Sequence, residues 1–189
     1  CRDGIDNDFD SFIDFPSDPG CLSLYDNDEF NFVGNSTNGT RVDIFFDGFE
    51  QGLGAWTLTG IDTNWYAANG SSQEGIMHAE AQPMNTNEPA SVMEKAVNTM
   101  GFNNIELSYY RQLIGLDIAD KFKAKWFDGS TWNILEQTTD SANDASYVSK
   151  TFILPTSVNN NANFKVRFEC TAGAVSEFCR VDNVRVVGM

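Results

Sequence analysis

The first 34 residues hold nine of the chain's 27 acidic residues against a single basic one, Arg2. Eight of the nine are aspartate, and Asp6, Asp8, Asp10 and Asp14 fall within one short run. Carboxylates that close repel one another unless a cation lies between them. Aspartates at alternate positions, with the aliphatic Ile13 among them, are the donor pattern of a loop wrapped around a hard, oxygen-seeking ion, which points to Ca2+. Set against an EF-type loop, Asp6, Asp8 and Asp10 take positions one, three and five, Phe12 offers its backbone carbonyl at seven, and Asp14 falls at nine. Position six is Ser11 rather than glycine, position twelve is Ser17 rather than glutamate, and Asp18 stands one place late. No helical periodicity flanks the loop, so it is not an EF-hand. A disordered acidic tail is the plain alternative; the scarcity of glutamate and the bounding Cys1 and Cys21 weigh against it.

The run Cys1-Arg2-Asp3-Gly4-Ile5-Asp6-Asn7-Asp8-Phe9-Asp10, then Asp18-Pro19-Gly20-Cys21, then Asp26-Asn27-Asp28-Glu29, resembles the aspartate-rich calcium repeats of thrombospondin type 3. It also resembles short calcium segments of secreted microbial proteins. The resemblance covers about thirty residues. It implies calcium ligands among Asp3, Asp6, Asp8, Asp10, Phe12, Asp14, Asp18, Asp26 and Asp28.

At 189 residues the chain is long enough for one good-sized domain and an appendage, and 41% hydrophobic residues can fill a core. The net charge of −15 argues against nucleic acid and anionic lipid, which select basic faces. No stretch approaches the ~20 apolar residues of a membrane-spanning helix. No signal-peptide pattern opens the sequence, so an extracellular protein would be read here in its mature form. Four cysteines allow three connectivities; proximity favours Cys1 with Cys21 and Cys170 with Cys179, the second expected to staple a terminal hairpin. Disulfides and calcium loops together favour an extracellular setting. Zinc is disfavoured, since His78 is the sole histidine and no Cys-x-x-Cys occurs. Asn35, Asn38 and Asn69 head glycosylation sequons.

The elements that must carry these groups fall into three stretches: a calcium segment over 1–30, a linker or donor-like strand over 31–41, and a domain over 42–189. In the last, alternating apolar runs predict strands at Val42–Phe46, Trp56–Thr59, Gly75–Ala81, Ala90–Ala96, Ile105–Leu113 and Phe122–Phe127. Further strands are predicted at Trp132–Gln137, Tyr147–Leu154, Asn163–Cys170 and Arg180–Val187, with a hairpin turn at Asp128-Gly129-Ser130 and a helical turn within 112–120. Short strands at this spacing predict an all-β, antiparallel β-sandwich. Phe46-Asp47-Gly48-Phe49-Glu50 through Trp56, and Val181-Asp182-Asn183-Val184, are similar to the opening and closing strands of jelly-roll modules of the MAM and carbohydrate-binding kind. That resemblance implies a structural calcium shared by Glu50 and Asp182, with Asp47 beside them.

No nucleophile elbow, phosphate loop or metalloprotease motif occurs, so the chain is read as non-enzymatic. On a strand, His78 and Glu80 share one face, without a nucleophile beside them. Two functions compete. Trp65, Tyr66, Tyr109, Tyr110, Trp126 and Trp132 offer stacking platforms for a glycan, Trp65 and Tyr66 in an expected loop being the better ones. Alternatively, the apolar residues of the opening segment need a partner surface, and a head-to-tail contact between copies would build a fibre or surface assembly. The self-associating building block is the favoured expectation from sequence, and a secreted carbohydrate-binding or adhesion module the second.

Overall fold

The computed structural model describes residues 41–62, 64–87, 91–138 and 141–189. The calcium segment, the Cys1–Cys21 bridge, the sequons at Asn35 and Asn38, and the assembly joint all lie outside the described residues. Eleven strands form among those described: β1 Val42–Asp47, β2 Thr57–Thr59, β3 Trp65–Asn69, β4 Met77–Ala81, β5 Ser91–Ala96 and β6 Glu106–Ile114. They continue with β7 Lys121–Phe127, β8 Trp132–Gln137, β9 Val148–Ile153, β10 Lys165–Thr171 and β11 Phe178–Gly188. One sheet runs β3-β4-β11-β6-β9 with β1 also on β11; the other runs β2-β5-β10-β7-β8. All pairings are antiparallel. The domain is an all-β antiparallel sandwich, as the strand spacing predicts, of the jelly-roll kind that the resemblance implies.

Period-two alternation sets the faces. β6 buries Leu107, Tyr109, Arg111 and Leu113 and turns Glu106, Ser108, Tyr110 and Gln112 outward. β7 buries Phe122, Ala124 and Trp126 against it from the opposite sheet. Phe168 of β10 joins the layers, with ring centroids 5.0 Å from Tyr109 and 6.0 Å from Trp56. Burying such a ring stabilises the fold by about 1.5–3 kcal/mol.

The β1–β2 connection is held by one carboxylate. Asp47 accepts the Phe49 backbone N–H through Oδ1 at 2.7 Å and the Trp56 Nε1–H through Oδ2 at 2.8 Å. This fixes Phe49 at φ 60°, a left-handed backbone uncommon for a bulky residue, and both rings plug the core.

β11 is the shared spine. Its outer edge pairs with β4 at Cys179–Val181 and with β1 at Val184–Gly188, while β6 lies along its other side. Between Asp182 and Arg185 the register slips against β6, and Asn183 takes φ 48°. This bulge lets inward positions run Cys179, Val181, then Val184, Val186.

Three expectations are revised. Trp65 and Tyr66 sit on β3, not in a loop. Cys170 and Cys179 are bonded, but on β10 and β11 of different sheets, so the disulfide clamps the two layers together instead of stapling a hairpin. The 112–120 stretch gives strand to Ile114 and then a tight turn closed by the Asp120 N–H on the Asp117 carbonyl. The Asp128–Thr131 turn forms as predicted, with Gly129 at φ 98° and Asp128 Oδ1 accepting the Ser130 and Thr131 N–H groups.

Candidate functional site

On the outer face of the β11 sheet a row of side chains crosses four strands. Tyr66 lies opposite Glu80, Glu80 opposite Arg180, and Arg180 opposite Gln112. The Tyr66 hydroxyl donates to Glu80 Oε1 at 2.5 Å, Arg180 Nε to Glu80 Oε2 at 2.6 Å, and Arg180 Nη1 to Gln112 Oε1 at 3.1 Å. Burial alone would raise Glu80; hydrogen bonds from His78, Tyr66 and Arg180, with the charge of Arg180, outweigh it and bring Glu80 down to about 2. Tyr66 is pushed up to about 12 by burial and by the Glu80 carboxylate. Tyr66 as a whole residue is 41% exposed, at the head of a fixed acceptor–donor–acceptor row.

The neighbouring row is closed over. His78 faces Ala68 on one side and is only 1% exposed. Its Nε2 lies 3.5 Å from Glu80 Oε2, and the ring of Tyr147 meets it edge-on with centroids 6.4 Å apart. The His78 Nδ1 and the Tyr147 hydroxyl oxygen are buried without a hydrogen-bond partner. Burial, with the charge of Asp182, pushes the Tyr147 phenol up.

Above this row the 70–76 loop is gripped from both sides. Asp182, fully buried at the bulge, accepts the Gln73 N–H at 2.7 Å and the Asn183 N–H at 2.8 Å. Burial pushes its carboxyl up, against those backbone hydrogen bonds. Glu50 Oε1 accepts the Ile76 and Met77 N–H groups, each at 2.8 Å. Gly75, at φ 69°, makes this possible, since a Cβ there would run into the Glu50 carboxylate. Glu50, Glu74, Asn183 and Phe46 line a cleft of about 400 Å³. The fold thus brings Glu50 and Asp182 to one loop, whereas both oxygens of Asp47 are already engaged by Phe49 and Trp56. Asn69 is exposed at the end of β3.

A grouping absent from the sequence reading lies at the strand ends, where Asp117, Asp120 and Glu177 come within 4.8 Å of one another. Glu177 accepts the Gly173 and Ala174 N–H groups there.

The other aromatic candidates are occupied. Trp65, Tyr109 and Trp126 are buried in the core, so Trp65 has no face free for a ligand. Trp132 on the opposite sheet carries the Arg167 guanidinium 3.7 Å above its ring. That sheet's outer face is an ion-pair lattice, in which Glu94 binds Lys165 at 2.8 Å and Arg167 at 2.6 Å, and Glu169 binds Lys125 at 2.8 Å. Of the expected platforms Tyr66 is the one left open, with Tyr110 half-covered on the same face. The sequence does not single out Glu80, Arg180, Gln112 or Tyr147; the one trace of this face there is the alternate spacing of His78 and Glu80.

No protein-family model and no curated protein matches this sequence. Solved structures do match in fold. The cleaved adhesin domain K3 of Lys-gingipain from Porphyromonas gingivalis w83 superposes with a TM-score of 0.56 at 12% identity, over 78% of this chain and 99% of that one. The carbohydrate-binding module TmCBM61, solved with β-1,4-galactotriose, gives 0.57 at 12% identity over 75% and 94%. The C-terminal family 22 carbohydrate-binding module of Clostridium thermocellum Xyn10B gives 0.55 at 16% identity over 77% and 92%. At such identities the likeness is one of architecture: the chain shares its sandwich with carbohydrate-binding modules and adhesin domains.

Proposed function

We propose that this chain is a non-enzymatic carbohydrate-binding or adhesion module of an extracellular protein, and that it takes sugar on the outer face of the β11 sheet. The observation that carries this reading is the Tyr66–Glu80–Arg180–Gln112 row beside an open aromatic ring. A sugar ring offers an apolar C–H face and a rim of hydroxyls. Tyr66 suits the first, and a carboxylate, a guanidinium and an amide at fixed spacing suit the second. Because the row is already hydrogen-bonded across four strands, little side-chain entropy is left to lose on binding. The neighbours solved as carbohydrate-binding modules support the same reading. A glycosidase needs two carboxylates free to act on one bond; here Glu80 is committed to Arg180 and Tyr66, and Asp182 to the loop backbone.

The test is a glycan array with the intact chain, followed by titration of any retained glycan. Tyr66→Ala and Arg180→Met are each expected to weaken binding about tenfold or more, a loss of ~1.4 kcal/mol. Retention of no glycan would sink the proposal.

Calcium belongs to the same proposal at two places. The first is the opening aspartate run. The second is the notch by the 70–76 loop, where Glu50, Glu74 and Asn183 present hard oxygen donors of the type calcium selects. Head-to-tail assembly rests on residues 1–34 and does not enter the proposal.

A further inference from the structure

We propose that the outer face of the second sheet, β2-β5-β10-β7-β8, binds an acidic polysaccharide, independently of the row on the β11 sheet. The strand register carries the argument. Lys121, Lys123 and Lys125 take alternate positions of β7 and project from one side, as do Lys165 and Arg167 of β10. Pairing sets Lys125 opposite Arg167 and Lys123 opposite Glu169, with Glu94 of β5 across from Arg167 on the other side. The strands of this one face gather five of the chain's 12 basic residues against two acids, Glu94 and Glu169. The face carries +3, while the other seven basic and 25 acidic residues of the chain sum to −18.

Both carboxylates are shared. Glu94 binds Lys165 and Arg167, and Glu169 binds Lys125 at 2.8 Å and Arg167 at 3.5 Å. Lys121 and Lys123 have partners too. These contacts hold the cations in place without cancelling their excess. An ammonium has three donors, so Lys165 keeps two beyond the one that Glu94 takes, and its side chain is 37% exposed. Like charges opposed in a sheet destabilise it, and an anion lying among them offsets that cost. Charge thus selects the sign of the ligand, and the side chains around it select the class. Along β7 the lysines recur about every 6.7 Å, a spacing suited to a polymer with an anionic group on successive units. Beside them the Phe127 and Trp132 rings lie 5.2 Å apart, and Ile134 at the sheet edge is 56% exposed. Such apolar contacts suit the C–H faces of sugar rings between their carboxylates. The acidic remainder of the molecule does not hold the polymer off. Packed sheets lie about 10 Å apart, and at physiological salt exposed charges more than ~8 Å apart are largely screened.

The test is titration of polygalacturonate into the intact chain at about 0.15 M NaCl, where it should bind; about 1 M NaCl should weaken it tenfold or more. Lys125→Gln and Lys165→Gln should each weaken binding about two- to fivefold. Glu94→Gln raises the excess positive charge and should tighten it, an effect that a merely structural ion pair would not produce. Arg167 is left in place, because it braces Trp132 and both carboxylates. Melting temperatures of the three variants, measured alongside, separate loss of fold from loss of binding. Tyr66→Ala, on the other sheet, should leave polygalacturonate affinity unchanged. Absence of binding to the intact chain, or an affinity indifferent to all three charge substitutions, overturns the assignment. A loss on Tyr66→Ala moves the ligand to the other face and overturns it equally. Poly-L-glutamate bound as tightly as polygalacturonate overturns the sugar class. Neutral glycans failing at the Tyr66 row would leave this proposal standing.

Discussion

Glu80 sets the electrostatics of the outer face of the β11 sheet. Its carboxylate meets three donors and is brought down to about 2, against an ordinary value near 4.5. A group depressed in the folded state stabilises the fold fully above its unfolded value and loses that contribution as pH falls toward the folded one. Urea unfolding between pH 7 and pH 3 should therefore show stability falling as pH drops below about 4.5, with a shallower fall in Glu80→Gln. At pH 7 the same substitution should cost about 1–3 kcal/mol, because Arg180 loses a charged partner. A profile unchanged by Glu80→Gln would place the acid sensitivity elsewhere.

Among the elements, the disulfide and the bulge do different work. Cys170–Cys179 joins the layers, and with only nine residues of separation it should contribute about 2–3 kcal/mol. Replacing both cysteines by serine should lower stability by that amount in equilibrium unfolding while the strand content in circular dichroism persists. What could be read from the sequence follows the same physics. β7 alternates strictly and its residues show it, while β6 buries every second position with Arg111 among the inward ones and Tyr110 turned out. β3 reads Trp-Tyr-Ala-Ala-Asn, with no clear alternation, and becomes a strand because β4 supplies the edge it needs. The Glu80–Arg180 contact spans 100 positions and depends on the register of two strands that sequence does not align. Phe46–Trp56 was recognisable as an opening motif because Asp47, Phe49 and Trp56 act locally.

For the whole molecule, a net charge of −15 makes cation binding a lever on stability. If calcium binds at about a hundred times its dissociation constant, it adds about 2.7 kcal/mol, or roughly 5–10 °C in melting temperature for a chain of this size. Adding chelator to the intact chain should remove that increment. Asp6→Asn and Glu50→Gln, compared one at a time, separate the opening segment from the notch by which variant loses the calcium response. A melting temperature indifferent to calcium in every case would dismiss the ion at both.

The placement of β11 also dictates when folding can happen. Residues 178–188 follow β1, β4 and β6 in the sequence, yet all three need them as a neighbour. While the ribosome is still translating, three separate segments wait with unpaired backbone, and such long-range pairing is slow to form once it becomes possible.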